Sequence, residues 1–187
     1  MKRFYKLNAF YLQIEKLLMK KLLFPSLIAL MFLGSCLKKG DNKCNYTDSN
    51  IVAPQAEQNA LLDSLTAHGI VDAIPHPSGF YYTITNPGSG AFVSNLCTTI
   101  ATYYRGGFFN GQSFDSSLVE PAAFQLGGVI AGWQKGIPLI KKGGEITLYI
   151  PPSLGFGSTD RKDMNGNIVI PANSYVVFNI TLVDLQD

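Results

Sequence analysis

Histidine is almost missing from this chain. His68 and His76 are the only two, and none follows Pro77. Residues 78–187 therefore cannot build a Ser-His-Asp or Cys-His catalyst. His68, near the end of a helical stretch, reads as a capping or surface residue rather than a ligand. Cysteine is scarce too: Cys36, Cys44 and Cys97 are the full set, with no partners at metal-ligand spacing. No metal or cofactor site is expected. Charge is sparse, at 15% of residues, and the excess of base is confined to the start. Residues 1–35 hold six basic side chains and one acid, which leaves nine basic against twelve acidic residues afterwards. Nucleic acid is thereby excluded as a partner. Phosphate-loop chemistry fails as well, since "GFGSTD" lacks the lysine and helix that should follow. "RKDMNGNIVIPA" overlaps a calcium-loop pattern, but Arg161 and Ala172 occupy its first and last ligand positions. Asp115 and Glu120 are the one carboxylate pair to weigh, and nothing around them marks a sugar site.

What is present begins with a leader. "MKKLLFPSLIALMFLGSC" has a basic start at Lys20 and Lys21, an apolar run from Leu22 to Leu33, then small residues before Cys36. That is the layout of a secretory signal, and the run is short for a membrane span. It places the true start at Met19 and the signal within residues 1–35. "LGSC" resembles the lipobox of bacterial lipoproteins, a likeness that implies lipidation of Cys36 and a protein anchored in the bacterial cell envelope. Residues 36–53 follow as a polar tether. In an oxidising compartment Cys44 and Cys97 either bridge or stay as two thiols, and spacing alone does not choose between them.

"PQAEQNALLDSLTAH" carries Leu61 and Leu65 at i, i+4 with Gly69 beyond, which predicts an amphipathic helix over 54–68 docked on the domain. Residues 54–79 form this helical extension. A single short stripe of this kind favours a monomer over pairing through the helix. Beyond it, short segments rich in β-branched and aromatic residues predict strands at 80–85, 97–104, 122–126, 145–150 and 175–185. Ile146, Leu148 and Ile150 share one face, as do Val176, Phe178, Ile180 and Leu182; this period of two predicts an antiparallel sheet with a single buried side. "VIAGWQKGIPLI", residues 129–140, is the one segment able to cover that side as a helix. Between strands, "NG" at 110–111 predicts a hairpin turn, because both residues tolerate positive φ. Phe114 and the carboxylate of Asp115 follow it directly.

Four successive stretches carry a resemblance. "TYYRGGFFNGQSFDSS", "FQLGGVIAGWQKGIPLIKKGG", "LYIPPSLGFG" and "IPANSYVVFNITLVDL" are similar, in order and spacing, to the signatures of FKBP-type peptidyl-prolyl cis-trans isomerases. The likeness covers roughly residues 80–187. It implies an α+β fold in which an antiparallel half-barrel sheet wraps one short helix. It also implies an isomerase acting on proline-containing polypeptides, without cofactor and open to macrolide inhibitors. Carried over residue by residue, the pocket positions are Tyr104, Phe114, Asp115, Trp133 and Phe156 at the catalytic centre. Val129, Ile130, Ile170 and Phe178 are the substrate-binding walls. Trp133 would be the floor, and Asp115 would sit at the rim and accept a hydrogen bond from the Tyr104 hydroxyl.

Two positions depart from the family pattern. Phe156 stands in "GFG" where the family usually has tyrosine, which removes a hydroxyl donor. Ala122, two before Phe124, replaces a second aromatic of the better-known members. The loop before Ile170 is also longer than in compact members. These departures leave a second reading open, a non-catalytic chaperone or protein-binding module on the same fold.

Overall fold

A computed structural model describes residues 44–187, and these form one compact unit. The expected signal, the start at Met19, the lipidation site Cys36 and the first half of the tether lie outside the described residues. The second half of the tether lies within them. Residues 44–53 are a strap bound along the domain. Cys44 is disulfide-bonded to Cys97, the Tyr46 ring lies against Gly127, Lys135 Nζ donates to Ser49 O at 2.5 Å, and Ala53 N donates to Ser78 O at 2.9 Å. Cys97 itself sits in the turn just before a strand rather than inside one.

Helix α1 (Gln55–Ala67) has the predicted bounds to within one residue. Gly69, at φ 67°, ends it by letting Ile70 N reach back to Leu65 O. His68 Nδ1 lies 2.8 Å from Ser64 O, as expected of a capping residue. Six strands make one antiparallel sheet: β1 (Ile74–Pro75), β2 (Tyr81–Asn86), β3 (Thr99–Gly107), β4 (Ser113–Gln125), β5 (Glu145–Ile150) and β8 (Val176–Gln186), in the order β1-β2-β5-β8-β3-β4. The remaining pair, β6 (Arg161–Lys162) and β7 (Ile168–Ile170), is a small separate hairpin.

The inward faces of β3, β5 and β8 alternate as their sequences do. Ile100, Thr102 and Tyr104 are buried on β3, Ile146, Leu148 and Ile150 on β5, and Val176, Phe178, Ile180 and Leu182 on β8. Against them lies helix α2 (Ala131–Gly136), continued by a 3-10 turn at Ile137–Leu139. The predicted helix over 129–140 is thus shorter and tightened at Pro138, because proline cannot donate the backbone bond an α-helix needs there. A Cβ on Gly132 would lie 2.6 Å from Ile150, and one on Gly136 2.5 Å from Leu148. These two glycines let α2 sit directly on β5, and so aim Trp133 into the concave face.

The sheet does not have a single buried side. On its convex face Leu61 and Leu65 of α1 are fully buried against Tyr149, with Tyr81, Phe109, Tyr175 and Val177 around them. The apolar stripe of α1 needed a partner, and the outward residues of β5 and β8 supply it. The predicted strand at 122–126 is also only the end of a longer one. β4 begins at Ser113 and runs through a bulge, since Thr102 pairs with Ala122 while Tyr104 pairs with Ser117. As an edge strand it accommodates Pro121, whose missing N–H would break an inner ladder. Among the described residues no helix is long and apolar enough to cross a membrane.

Candidate active site

The site is built where β3, β4 and β8 meet the N-terminus of α2. Trp133 is 4% exposed and lies beneath three aromatic neighbours. Tyr104, Phe178 and Phe124 stand edge-on to it, with centroids at 5.4, 5.2 and 5.8 Å and interplanar angles of 81°, 89° and 87°. Such edge-to-face pairs contribute roughly 0.5–1.5 kcal/mol each beyond area burial. They also fix the indole in one orientation. The indole Nε1 is buried and has no hydrogen-bond partner among the described residues.

Phe114 extends this cluster to the rim. Its ring meets Phe178 at 5.7 Å, Phe156 at 5.8 Å and Phe108 at 5.2 Å. Gly106 makes the meeting possible: a Cβ there would lie 2.5 Å from Phe178 Cε1 and 2.9 Å from Phe114 Cε2. Ile170 is buried in the same apolar cluster, while Val129, Ile130 and Phe156 are half-buried against it. The Gln134 side chain ties down the loop that presents Val129 and Ile130, its Nε2 donating to Val129 O at 2.8 Å and Gly127 O at 3.2 Å.

The polar element is a single pair. Tyr104 Oη donates to Asp115 Oδ2 at 2.7 Å. Burial, then this hydrogen bond and the carboxylate's charge, push the Tyr104 phenol up to about 12. It is therefore a neutral donor at any ordinary pH. Asp115 itself is exposed, so water solvates the carboxylate at the apolar lip and burial does not penalise it.

The hairpin expected at Asn110–Gly111 joins β3 to β4. Of Asn110 and Gly111 only Gly111 has positive φ, at 84°. Gly111 N donates to Phe108 O, and Phe108 N donates to Gln112 O. This is a type I turn closed by a glycine bulge, in which Asn110 serves instead by accepting from Gln112 N.

The longer loop before Ile170 is the β6–β7 hairpin. Asp163 closes its turn by accepting from Asn165 N, Asn167 N and Asn167 Nδ2, each at 2.9 Å. Arg161 Nη2 donates to Phe156 O at 3.2 Å, and Asp160 Oδ1 accepts from Ala172 N. The hairpin thereby links the Phe156 turn to Ile170.

Of the nine sequence-derived pocket residues, Tyr104, Phe114, Trp133, Phe156 and Phe178 are joined by direct ring contacts and Asp115 by its bond from Tyr104, while Val129, Ile130 and Ile170 belong to the same domain core, which also holds Phe80, Ile100 and Leu182. Ala122 also touches the cluster, as a small residue where an aromatic would reach further. Sequence reasoning missed Phe124 and Gly106. The alternation of Ala122 and Phe124 along β4 was the available signal for the first. For the second, nothing short of the Phe114–Phe178 contact could have marked it. Among the described residues no three His, Cys, Asp or Glu side chains are grouped to hold a metal.

An antiparallel sheet closed on a short helix, with edge-on aromatics gathered where the two meet, defines the half-barrel class of α+β proteins. Within that class the chain belongs to the FKBP-type peptidyl-prolyl cis-trans isomerase family, whose model matches residues 94–183. It is similar to the FKBP-type peptidyl-prolyl cis-trans isomerase FkpA of Buchnera aphidicola subsp. Baizongia pistaciae, at 36% identity over 80% of this chain and 59% of that protein. The crystal structure of FkpA from Escherichia coli superposes with a TM-score of 0.55 at 30% identity, covering 71% of this chain and 63% of that one. The crystal structure of AtFKBP13 does so with a TM-score of 0.55 at 31% identity, covering 61% of this chain and 98% of that one. The chain spans less than two thirds of the length of the FkpA relatives.

Proposed function

We propose that this protein catalyses cis-trans isomerisation of X–Pro bonds in exported polypeptides. The observation that carries the reading is the Trp133 floor, walled by edge-on aromatics and rimmed by the Tyr104–Asp115 pair. Rotation about a prolyl amide meets a barrier of about 18–20 kcal/mol because resonance must be broken. Uncatalysed exchange takes tens to hundreds of seconds, slow enough to limit folding. No nucleophile is required. The twisted transition state has lost resonance, so its carbonyl is less polar than that of the planar ground state. An aromatic surface that strips water from the amide disfavours the planar form more than the twisted one. Phe114, Phe156 and Phe178 would grip the pyrrolidine ring over Trp133. Val129, Ile130 and Ile170 would take the flanking apolar side chain.

The test follows relaxation of a cis-enriched proline tetrapeptide with and without the protein, and with a macrolide added. Acceleration that the macrolide abolishes is expected, with a rate nearly level from roughly pH 6 to 8, because no proton transfer is involved. No acceleration, or a steep titration in that range, overturns the reading. A second reading, binding without turnover, is favoured by one observation: Phe156 brings no hydroxyl to the rim. Tight binding of unfolded chains with no rate effect would select it.

Export and anchoring through a lipid on Cys36 complete the proposal. The "LGSC" sequence and the Cys44–Cys97 bridge, suited to an oxidising compartment, support them. Labelled fatty acid should enter the wild-type protein in cells and be absent from Cys36→Ala, which should leave the membrane fraction.

A further inference from the structure

We infer that the Cys44–Cys97 bridge sets which end of the anchored domain faces the membrane, and that the candidate site is thereby turned toward water-borne chains and away from bilayer-embedded ones. The inference rests on the proposed lipid at Cys36 and on the proposed isomerase site.

The sheet has two distinct ends. Thr99, Gln125 and Gln186 are paired at one end. Gly107, Ser113, Val177 and Ile150 lie at the other, about 27 Å away along β3. The site rim belongs to the second end. Phe114 and Asp115 open β4 there, and Phe156 and Ile170 lie in the connection from Ile150 to Val176. Cys97 belongs to the first end, two residues before Thr99, and the bridge holds Cys44 beside it. Eight residue steps separate Cys36 from Cys44, a reach of at most about 29 Å. With the bridge closed, the end opposite the rim is therefore held nearest the lipid.

The strap makes the bridge decisive. From Cys44 it runs past Gly127 and Lys135 to Ala53, which is fixed to Ser78 beside Phe80 and Tyr81, at the rim end of β2. Without the bridge the strap keeps non-covalent attachments alone, among them the Tyr46 packing and the Lys135–Ser49 bond, until Ala53. If these release, the tether leaves the domain at the rim end, with a reach of roughly 60 Å over seventeen steps. One covalent bond thus separates a short tether at the end opposite the rim from a long one at the rim end.

The experiment uses the chain from Cys36, with a diacyl lipid attached to the Cys36 thiol by maleimide chemistry, so that the result is independent of natural acylation. A nitroxide on a ketone-bearing amino acid replaces Ser89, exposed at the tether end, or Met164, fully exposed at the tip of the β6–β7 hairpin. Vesicles carry a nickel-chelating headgroup. Relaxation enhancement several-fold stronger at 89 than at 164 is expected in the bridged protein, with the difference lost or reversed in C44S/C97S. Enhancement at 164 equal to or above that at 89 in the bridged protein overturns the inference. So does an unchanged contrast in a folded C44S/C97S. If that variant does not fold, the bridged protein alone decides. Tetrapeptide isomerisation by the same samples reports on the isomerase reading separately.

Discussion

Replacing Tyr104 by Phe removes one oxygen and leaves the ring in its contacts with Trp133, Phe124 and Phe178. At about pH 9 the loss is that of the bond to Asp115. Because the carboxylate is exposed and rehydrates, the cost belongs in the ordinary range of about 0.5–1.5 kcal/mol. At higher pH the sign changes. Burial first, and then Asp115, push the Tyr104 phenol from its ordinary value of about 10 up to about 12 in the folded protein. A phenol whose folded value is raised contributes stability that is fully present below pH 10 and lost as pH climbs through 12. Water at the exposed Asp115 screens the pair, so the swing is worth roughly 1–2 kcal/mol, and phenylalanine has no proton to lose. The variant should therefore be less stable than wild type at about pH 9, and should draw level with it or pass it as pH approaches 12. Tyr149 and Tyr175 are also raised, chiefly by burial, but they are present in both proteins and cancel in the difference.

The assay is denaturant unfolding followed by Trp133 fluorescence, repeated in steps from about pH 9 to pH 11.5. Wild type should lose roughly 1–2 kcal/mol more than Tyr104→Phe over that range. Parallel stability curves would refute the reasoning, since they would mean that the hydroxyl is neither buried nor held by Asp115. At neutral pH the same variant should isomerise a proline peptide up to about tenfold more slowly, if the neutral hydroxyl and its carboxylate orient the substrate.

Three further outcomes follow from the same geometry. Phe156→Tyr returns the hydroxyl usual at that position and should raise kcat/KM by up to roughly tenfold, read in the tetrapeptide assay, with little change in stability. Gly106→Ala forces Phe178 and Phe114 apart and should lower the unfolding free energy by about 1–3 kcal/mol while weakening macrolide binding measured by Trp133 fluorescence. Asp163 is held below the usual carboxylate range, first by the Asn167 side chain and then by backbone N–H groups. The order it gives the β6–β7 turn is present above about pH 4 and is lost as pH falls further. Amide exchange at Asn165 and Asn167 should show that loss in wild type and no such step in Asp163→Asn.

The sheet was legible because burial on one face writes itself as a period of two. β5 and β8 carry that pattern and ended within a residue of their predicted bounds. β4 carries it only at its end, through Ala122 and Phe124. As an edge strand with a bulge, it places Leu118 and Val119 in solvent, and no alternation survives there to be read. The strap 44–53 escaped for a related reason. Its attachments are a disulfide, a backbone carbonyl at Ser49 and a tyrosine on a glycine, and none of these imposes a periodic pattern. The site was legible only in part. Trp133, Phe114 and Asp115 could be placed through the ordered family likeness, whereas spacing alone would have assigned the aromatics to an ordinary core.

That ambiguity has a physical basis: the cluster is both. Trp133 and Phe178 are each only 4% exposed, so they hold β3, β8 and α2 together as any core does. What distinguishes the cluster is its edge. Phe114 and Phe156 are half-buried, the indole Nε1 is unpartnered, and a paired carboxylate stands at the rim. An ordinary core would end in fully covered side chains and satisfied donors. A packed interior that continues outward into half-covered aromatic rings keeps unused contact surface, which is what the proposed function requires for a prolyl ring to bury. Stability and binding therefore draw on the same residues. Substitutions that only enlarge the edge, such as Phe156→Tyr, should separate the two, whereas Trp133→Ala should lower both.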